Sequence, residues 1–360
     1  MIVSGDSRTR SRASARMATS VRKAPPRAFV YRSGTRISGT VVACDAQGGG
    51  DLIFLSNASG LVGEAARVRA ARAQVLTTPE TLALMGAAGQ RLRARALTLG
   101  YGRPFGLGSL RVELLPTGVL PGAAALFCEA GERRVLYAGC ARLGPPVYGA
   151  SPGEVRAADA VCIDASYGHP RFRFVPRAEA EERVRGFARA MRVAERPAVV
   201  LCAPLGPAQE LAAALAGDGW QLRAHRSIVE GAAAYRRAGV PVPAVARFAG
   251  KLGAGEVLLW PAAEREAGSL RRLPDAGLLW VSGGAADADA VAALRVDAAV
   301  PYASPPDFEG LLAYVAATGA REVAVKNGYA EDLAGALRAR GLDAYVIGPP
   351  RQIDMFAAAG

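Results

Sequence analysis

Residues 51–63 read DLIFLSNASGLVG. Leu52 to Leu55 form a short apolar run between a glycine-rich approach and the polar SNASG, the pattern of a buried strand feeding a tight turn. Side chains on such a turn sit at the carboxyl end of a sheet, where open α/β sheets place their sites. The turn is therefore where chemistry is to be sought, and its side chains are Ser56, Asn57 and Ser59.

Working outward, 37–44, 52–56 and 74–77 read as strands, and Thr78-Pro79-Glu80 opens a helix with proline at its first position. Four more strands follow at 94–99, 110–115, 123–129 and 134–138, and this strand-rich half is expected to form one side of a β-sandwich. Beyond a buried strand at 161–164, a helix over 178–195 carries the stripe Ala180, Val184, Phe187 and Met191. Strands at 198–202, 221–225, 256–260 and 278–282 then alternate with helices, which implies a parallel α/β unit. The final quarter reads helix from Asp307 to Gly319, strand 322–325, helix to Arg340 and strand 344–347.

The chain has 360 residues, 51% of them apolar, enough for a sizeable core, and its apolar runs are too short to span a bilayer. Five cysteines without a C-x-x-C pair read as reduced, buried thiols of a cytoplasmic protein. The net charge of +12 is uneven: residues 1–36 hold nine basic groups against one acid. Residues 1–27 read as a disordered basic arm able to hold a polyanion through phosphate contacts. Arginine outnumbers lysine 41 to 3, so a genome bias toward arginine explains part of that charge equally well.

With its downstream partners, the turn at 56–62 resembles the metallo-β-lactamase fold of the β-CASP nuclease branch, near bacterial ligase-associated exonucleases and mRNA 3′-end processing factor-like proteins. That family writes Ser-His-x-His-x-Asp-His after this strand to hold two zinc ions. This chain keeps Ser56 and has Asn57, Ser59, Leu61 and Val62 at the ligand positions. The family's Pro-x-Gly-His becomes Pro116-Thr117-Gly118-Val119, its Gly-Asp becomes Gly139-Cys140, its Ser-Asp-His becomes Ala303-Ser304-Pro305, and its His-Gly becomes Asn327-Gly328. Only Asp164, in VCIDASYG, keeps the family's acidic residue.

The resemblance implies an α/β (α+β) chain: a metallo-β-lactamase αββα sandwich over 28–168 and 301–356, with a β-CASP-like insertion over 169–300. It also implies an inactive, metal-free homologue of an exonuclease. Two zinc ions need imidazoles, thiolates or carboxylates at about 2.0–2.3 Å, and the chain's two histidines, His169 and His225, match no ligand position. Such a protein is expected to bind nucleic acid in DNA repair or RNA processing, through the arm and the run Arg171, Arg173, Arg177 with interleaved phenylalanines. Alternating Arg and Phe equally fits a strand with one solvated face. A related active nuclease, or a ligase or helicase subunit, is the implied partner. Two alternatives stay open: a protein-interaction subunit without nucleic-acid affinity, and a zinc-independent hydrolase built on Cys140 or Asp164, although no base stands beside the thiol.

Overall fold

A computed structural model of the chain describes residues 26–46, 51–59 and 73–349. The basic arm up to residue 25, and Leu61 and Val62, lie outside the described residues. Strands β1 (Phe29–Tyr31), β2 (Thr35–Ile37), β3 (Val42–Cys44), β4 (Leu52–Phe54), β5 (Gln74–Thr77) and β6 (Ala96–Thr98) form one sheet in sequence order. It is antiparallel up to β3 and parallel from β3 onward. Helices α1 (Pro79–Leu84) and α2 (Ala87–Leu92) bridge β5 and β6, and the Thr78 hydroxyl caps α1 by accepting from the Thr81 N–H.

The single strand expected over 37–44 is two strands, because Gly39 at φ +74° turns the chain between them. The second sheet begins with β7 (Phe105–Leu107), β8 (Leu110–Pro116), β9 (Ala124–Ala130), β10 (Arg133–Gly139) and β11 (Ala160–Asp164), so the strand-rich half supplies both sides of the sandwich, not one.

The chain then builds a separate six-stranded sheet. Its elements are α3 (Arg177–Val193), β12 (Ala198–Leu201), α4 (Pro207–Gly217), β13 (Gln221–Ala224), α5 (Arg226–Arg237), β14 (Val245–Arg247), β15 (Glu256–Trp260), β16 (Gly277–Ser282), α6 (Ala288–Leu294) and β17 (Ala298–Pro301). Every strand pairing in this sheet is parallel, as the alternating pattern requires. Val184 of α3, Leu211 and Leu215 of α4 and Ile228 of α5 cover one of its faces. Finally α7 (Phe308–Thr318), β18 (Glu322–Lys326), α8 (Ala330–Arg338) and β19 (Asp343–Val346) return to the second sheet, whose order is β19-β18-β11-β10-β9-β8-β7.

Side-chain alternation along the strands fixes the layers. On β18, Ala324 points into a core shared with the first sheet, where Phe29, Phe54 and Leu76 meet Leu126, Tyr137 and Cys162. Val323 and Val325 point the other way, onto Leu311, Val315, Leu333 and Leu337 of α7 and α8. Ile53 and Val75 face Leu82 and Leu92 of α1 and α2. The result is a mixed α/β architecture in which two sheets share a core and helices cover both outer faces. The third sheet's unit is docked on it by Ala234 and Tyr235 of α5 against Leu84, Val119 and Leu120. No helix among the described residues is long and apolar enough to cross a membrane.

Candidate functional site

The carboxyl ends of strands from both sheets of the sandwich converge on one cavity of about 220 Å3, closed on the far side by the third sheet's unit. Asn57, Ser59, Val119, Cys140 and Pro305 line it together with Tyr167, Ser282, Tyr302 and Ser304. Five positions scattered over some 250 residues of sequence are thus neighbours. Among the described residues no charged side chain lines it, and the volume falls below the roughly 300–1,000 Å3 of drug-sized ligand pockets.

The turn after β4 is held by its own side chains. Asn57 Oδ1 accepts from the Ser59 N–H at 2.8 Å and from the Ser59 hydroxyl at 2.5 Å, while Asn57 Nδ2 donates to Ser56 Oγ at 3.0 Å. Asn57 therefore shapes the loop. The loop between β8 and β9 keeps glycine where the backbone demands it. Gly122 has φ +76°, and a Cβ there would stand 2.5 Å from the Thr81 N and 2.8 Å from the Thr78 hydroxyl. Its carbonyl accepts from Thr78 Oγ1 at 2.7 Å and Thr81 Oγ1 at 2.9 Å, tying the loop to α1. Val119, in the same loop, belongs to the apolar cluster that docks α5.

Asp164 and Asn327 meet just outside the cavity. Asn327 Nδ2 donates to Asp164 Oδ2 at 2.6 Å, and Asp164 Oδ1 accepts from the Ser166 N–H at 2.9 Å and from the Ser166 hydroxyl. Asn327 holds this position in a left-handed conformation, φ +61°. Cys140 is half-buried, and enclosure followed by the charge of Asp164 pushes its thiol far up from the ordinary range. A protonated thiol is a poor nucleophile and a poor metal ligand.

Beneath the turn lies a polar network that sequence reasoning missed. Asp45 accepts from the Ser56 N–H at 2.8 Å, the Ser56 hydroxyl at 2.7 Å and the Tyr137 hydroxyl at 2.7 Å. Lys326 Nζ donates to Tyr137 Oη at 2.5 Å and stands 3.9 Å from Asp45. Burial opposes the charge on Lys326, yet Asp45 and its neighbours carry the pKa above the usual lysine value. Burial, then Asp45, also raises that of Tyr137. Lysine stays charged and tyrosine neutral, so neither is poised as a general base at pH 7. A signal was present: Lys326 is one of three lysines, two residues beyond Ala324 on a strand, which puts it on the inter-sheet face.

These side chains do not fit zinc. The cavity offers amides, hydroxyls, aliphatic groups and one protonated thiol, and the carboxylate of Asp164 is committed to Ser166 and Asn327. Among the described residues no three His, Cys, Asp or Glu side chains are grouped to hold a metal ion. Ser304, which lines the cavity, has its Oγ buried without a hydrogen-bond partner, as do Thr117 at Oγ1 and Arg142 at Nε, which are not among the lining residues. They are neighbours, since the Arg142 N–H donates to Thr117 O at 2.9 Å and Arg142 Nη1 to Ser304 O at 3.3 Å.

The other residues singled out in the sequence fall elsewhere. Residues 169–176 form an irregular segment and not a strand, with Phe172 and Phe174 packed on Tyr167. Arg171 pairs with Asp287 at 2.9 Å and lies over the Tyr329 ring. Arg177 is held by Glu181 at 2.8 Å and Glu210 at 3.0 Å. Arg173 is exposed and has no ion pair among the described residues. Arg27 pairs with Asp343. His169 Nδ1 accepts from the Arg171 N–H at 3.1 Å, and His225 caps α5, its ring edge-on to Trp260.

No family model matches the sequence. Over 288 residues the chain is 28% identical to a protein of Opitutus terrae (strain DSM 11246 / JCM 15787 / PB90-1) named "Probable DNA ligase". The matched stretch covers 78% of this chain and 28% of that protein, so the chain spans little more than a quarter of its relative's length.

Proposed function

We propose that this chain is a nucleic-acid-binding module of the metallo-β-lactamase, β-CASP type that has lost zinc-dependent hydrolysis and works beside a ligase in DNA repair. The observation that carries the reading is the cavity itself. Asn57, Ser59, Val119, Cys140 and Pro305, the positions at which the resembled family writes zinc ligands, line one cavity at the carboxyl ends of the strands, on loops whose glycine geometry is intact. Two facing sheets with helices outside, and a parallel α/β unit inserted between β11 and α7, support the same family. The similarity to a protein named a probable DNA ligase supports the choice of ligase as partner and of DNA over RNA.

The chemistry left in the site is that of binding. Among the described residues the cavity lining carries amides and hydroxyls, Ser304 Oγ buried without a partner, and no charge, and a neutral small ring or sugar edge suits it better than a phosphate. The test is made on the purified full chain by zinc analysis, by nuclease assay on end-labelled single and double strands with Mg2+, Mn2+ and Zn2+, and by binding to the same strands. Binding without cleavage is expected. Stoichiometric zinc with metal-dependent cleavage would end this reading, and capture of a ligase with no affinity for any strand would favour a pure interaction subunit.

A further inference from the structure

A second concavity lies away from the site described above. Helices α1 and α2, β6 and the end of α5 enclose an open cleft of about 360 Å3, lined by Gln90, Arg93 and Thr98 on one side and Arg237 on the other. Arg237 is placed by close packing: its Nη2 stands 3.4 Å from where a Cβ on Gly86 would lie, and Gly86 is at φ +57°. Both arginines are exposed, and among the described residues neither pairs with a carboxylate. Among the described residues no acidic or aromatic side chain lines the cleft. Of the exposed arginines of α3, Arg183 is tied to Glu179 and Arg189 to Glu182 and Asp218, while Arg192 lies over the Trp220 ring. Two guanidinium groups brought to one cleft from different units, with no carboxylate paired to them among the described residues, make a site for an anion.

We propose that this cleft clamps a backbone phosphate of nucleic acid between Arg93 and Arg237, an assignment that rests on the nucleic-acid reading above. Guanidinium groups match phosphate oxygens bidentately. Without an aromatic platform the cleft has nothing on which to stack a base, so it positions the strand and carries no sequence information. Its openness admits a continuing strand.

The experiment follows binding of a fluorescein-labelled short DNA single strand to the full chain by anisotropy over a NaCl series, comparing the parent with R93Q/R237Q and R93K/R237K. Loss of one phosphate contact lowers the slope of log K against log salt by about 0.7 for a single strand. Loss of a charge-assisted hydrogen-bonded contact weakens binding about tenfold or more at fixed salt. The lysine variant is expected to keep the slope. Both side chains are exposed, and unchanged thermal midpoints will verify that the variants fold. If the parent binds strands and the glutamine variant has the same affinity and slope, the cleft assignment is wrong while the nucleic-acid reading stands. If the parent binds no strand at low salt, both fall. If the substitutions release the chain only from phosphatidylglycerol vesicles, the cleft is a membrane-surface site and the assignment fails.

Discussion

Replacing Lys326 with methionine removes one partner of a buried ion pair while filling nearly the same volume. Lys326 and Asp45 side chains are 12% and 16% exposed, and their charges stand 3.9 Å apart. At an effective dielectric of about 20, that separation corresponds to roughly 4 kcal/mol of attraction. The lysine's own burial penalty offsets part of it, and Asp45 would keep its hydrogen bonds from Ser56 and Tyr137. Breaking a buried pair from one side costs about 3–5 kcal/mol, and those retained bonds put K326M at the low end, about 3 kcal/mol. Urea unfolding of K326M, D45N and the double variant measures it, with a coupling energy of about 2 kcal/mol expected in the cycle. The sign with pH follows from the raised Lys326 pKa. The folded state holds its proton more tightly, so the contribution is intact below the ordinary value of 10.5 and is lost as pH rises through the folded value. A K326M cost under about 1 kcal/mol, or strict additivity with D45N, would refute the argument that this pair holds the floor of the site.

Three further outcomes are expected. Burial pushes the pKa of Cys128 to about 11 and those of Cys162 and Cys202 to about 12, and raises Cys140 further; iodoacetamide at pH 8 followed by mass spectrometry should leave these thiols unmodified in the native chain and label them in urea. Val119→His puts a polar ring into the apolar cluster that docks α5, costing about 1–3 kcal/mol, without conferring stoichiometric zinc, since one imidazole cannot build a site. His225→Ala removes the cap of α5 at a cost of about 1 kcal/mol. Burial depresses the His225 pKa, so the cap's contribution is complete above pH 6.5 and fades as pH falls through the folded value; urea midpoints at pH 5 and 7.5 would expose a residue that contributes nothing.

Local signals carried much of the fold. Thr78-Pro79 started α1, Asp307 and Gly319 bracketed α7, and strands alternating with helices over much of 177–301 pointed to a parallel sheet, because capping and periodicity act over a few residues and are written in them. Short strands were harder to read. β1, β7 and β14 have three residues each, too few to display a period, and exist because a neighbouring strand completes their hydrogen bonds. The Arg-Phe run at 171–174 alternated like a strand and became a loop, because its phenylalanines found Tyr167 on another segment.

The sequence alone determined which side chains occupy the positions of interest, and that the chain has two histidines. Only the tertiary structure decided that Asn57, Val119, Cys140 and Pro305 share one cavity, that Asp45 and Lys326 neutralise each other beneath it, and that Arg93 and Arg237 line one cleft with no carboxylate paired to them among the described residues. Chemistry belongs to a residue wherever it lies. Proximity, burial and charge compensation belong to pairs distant in the chain, and those are set by how the sheets pack.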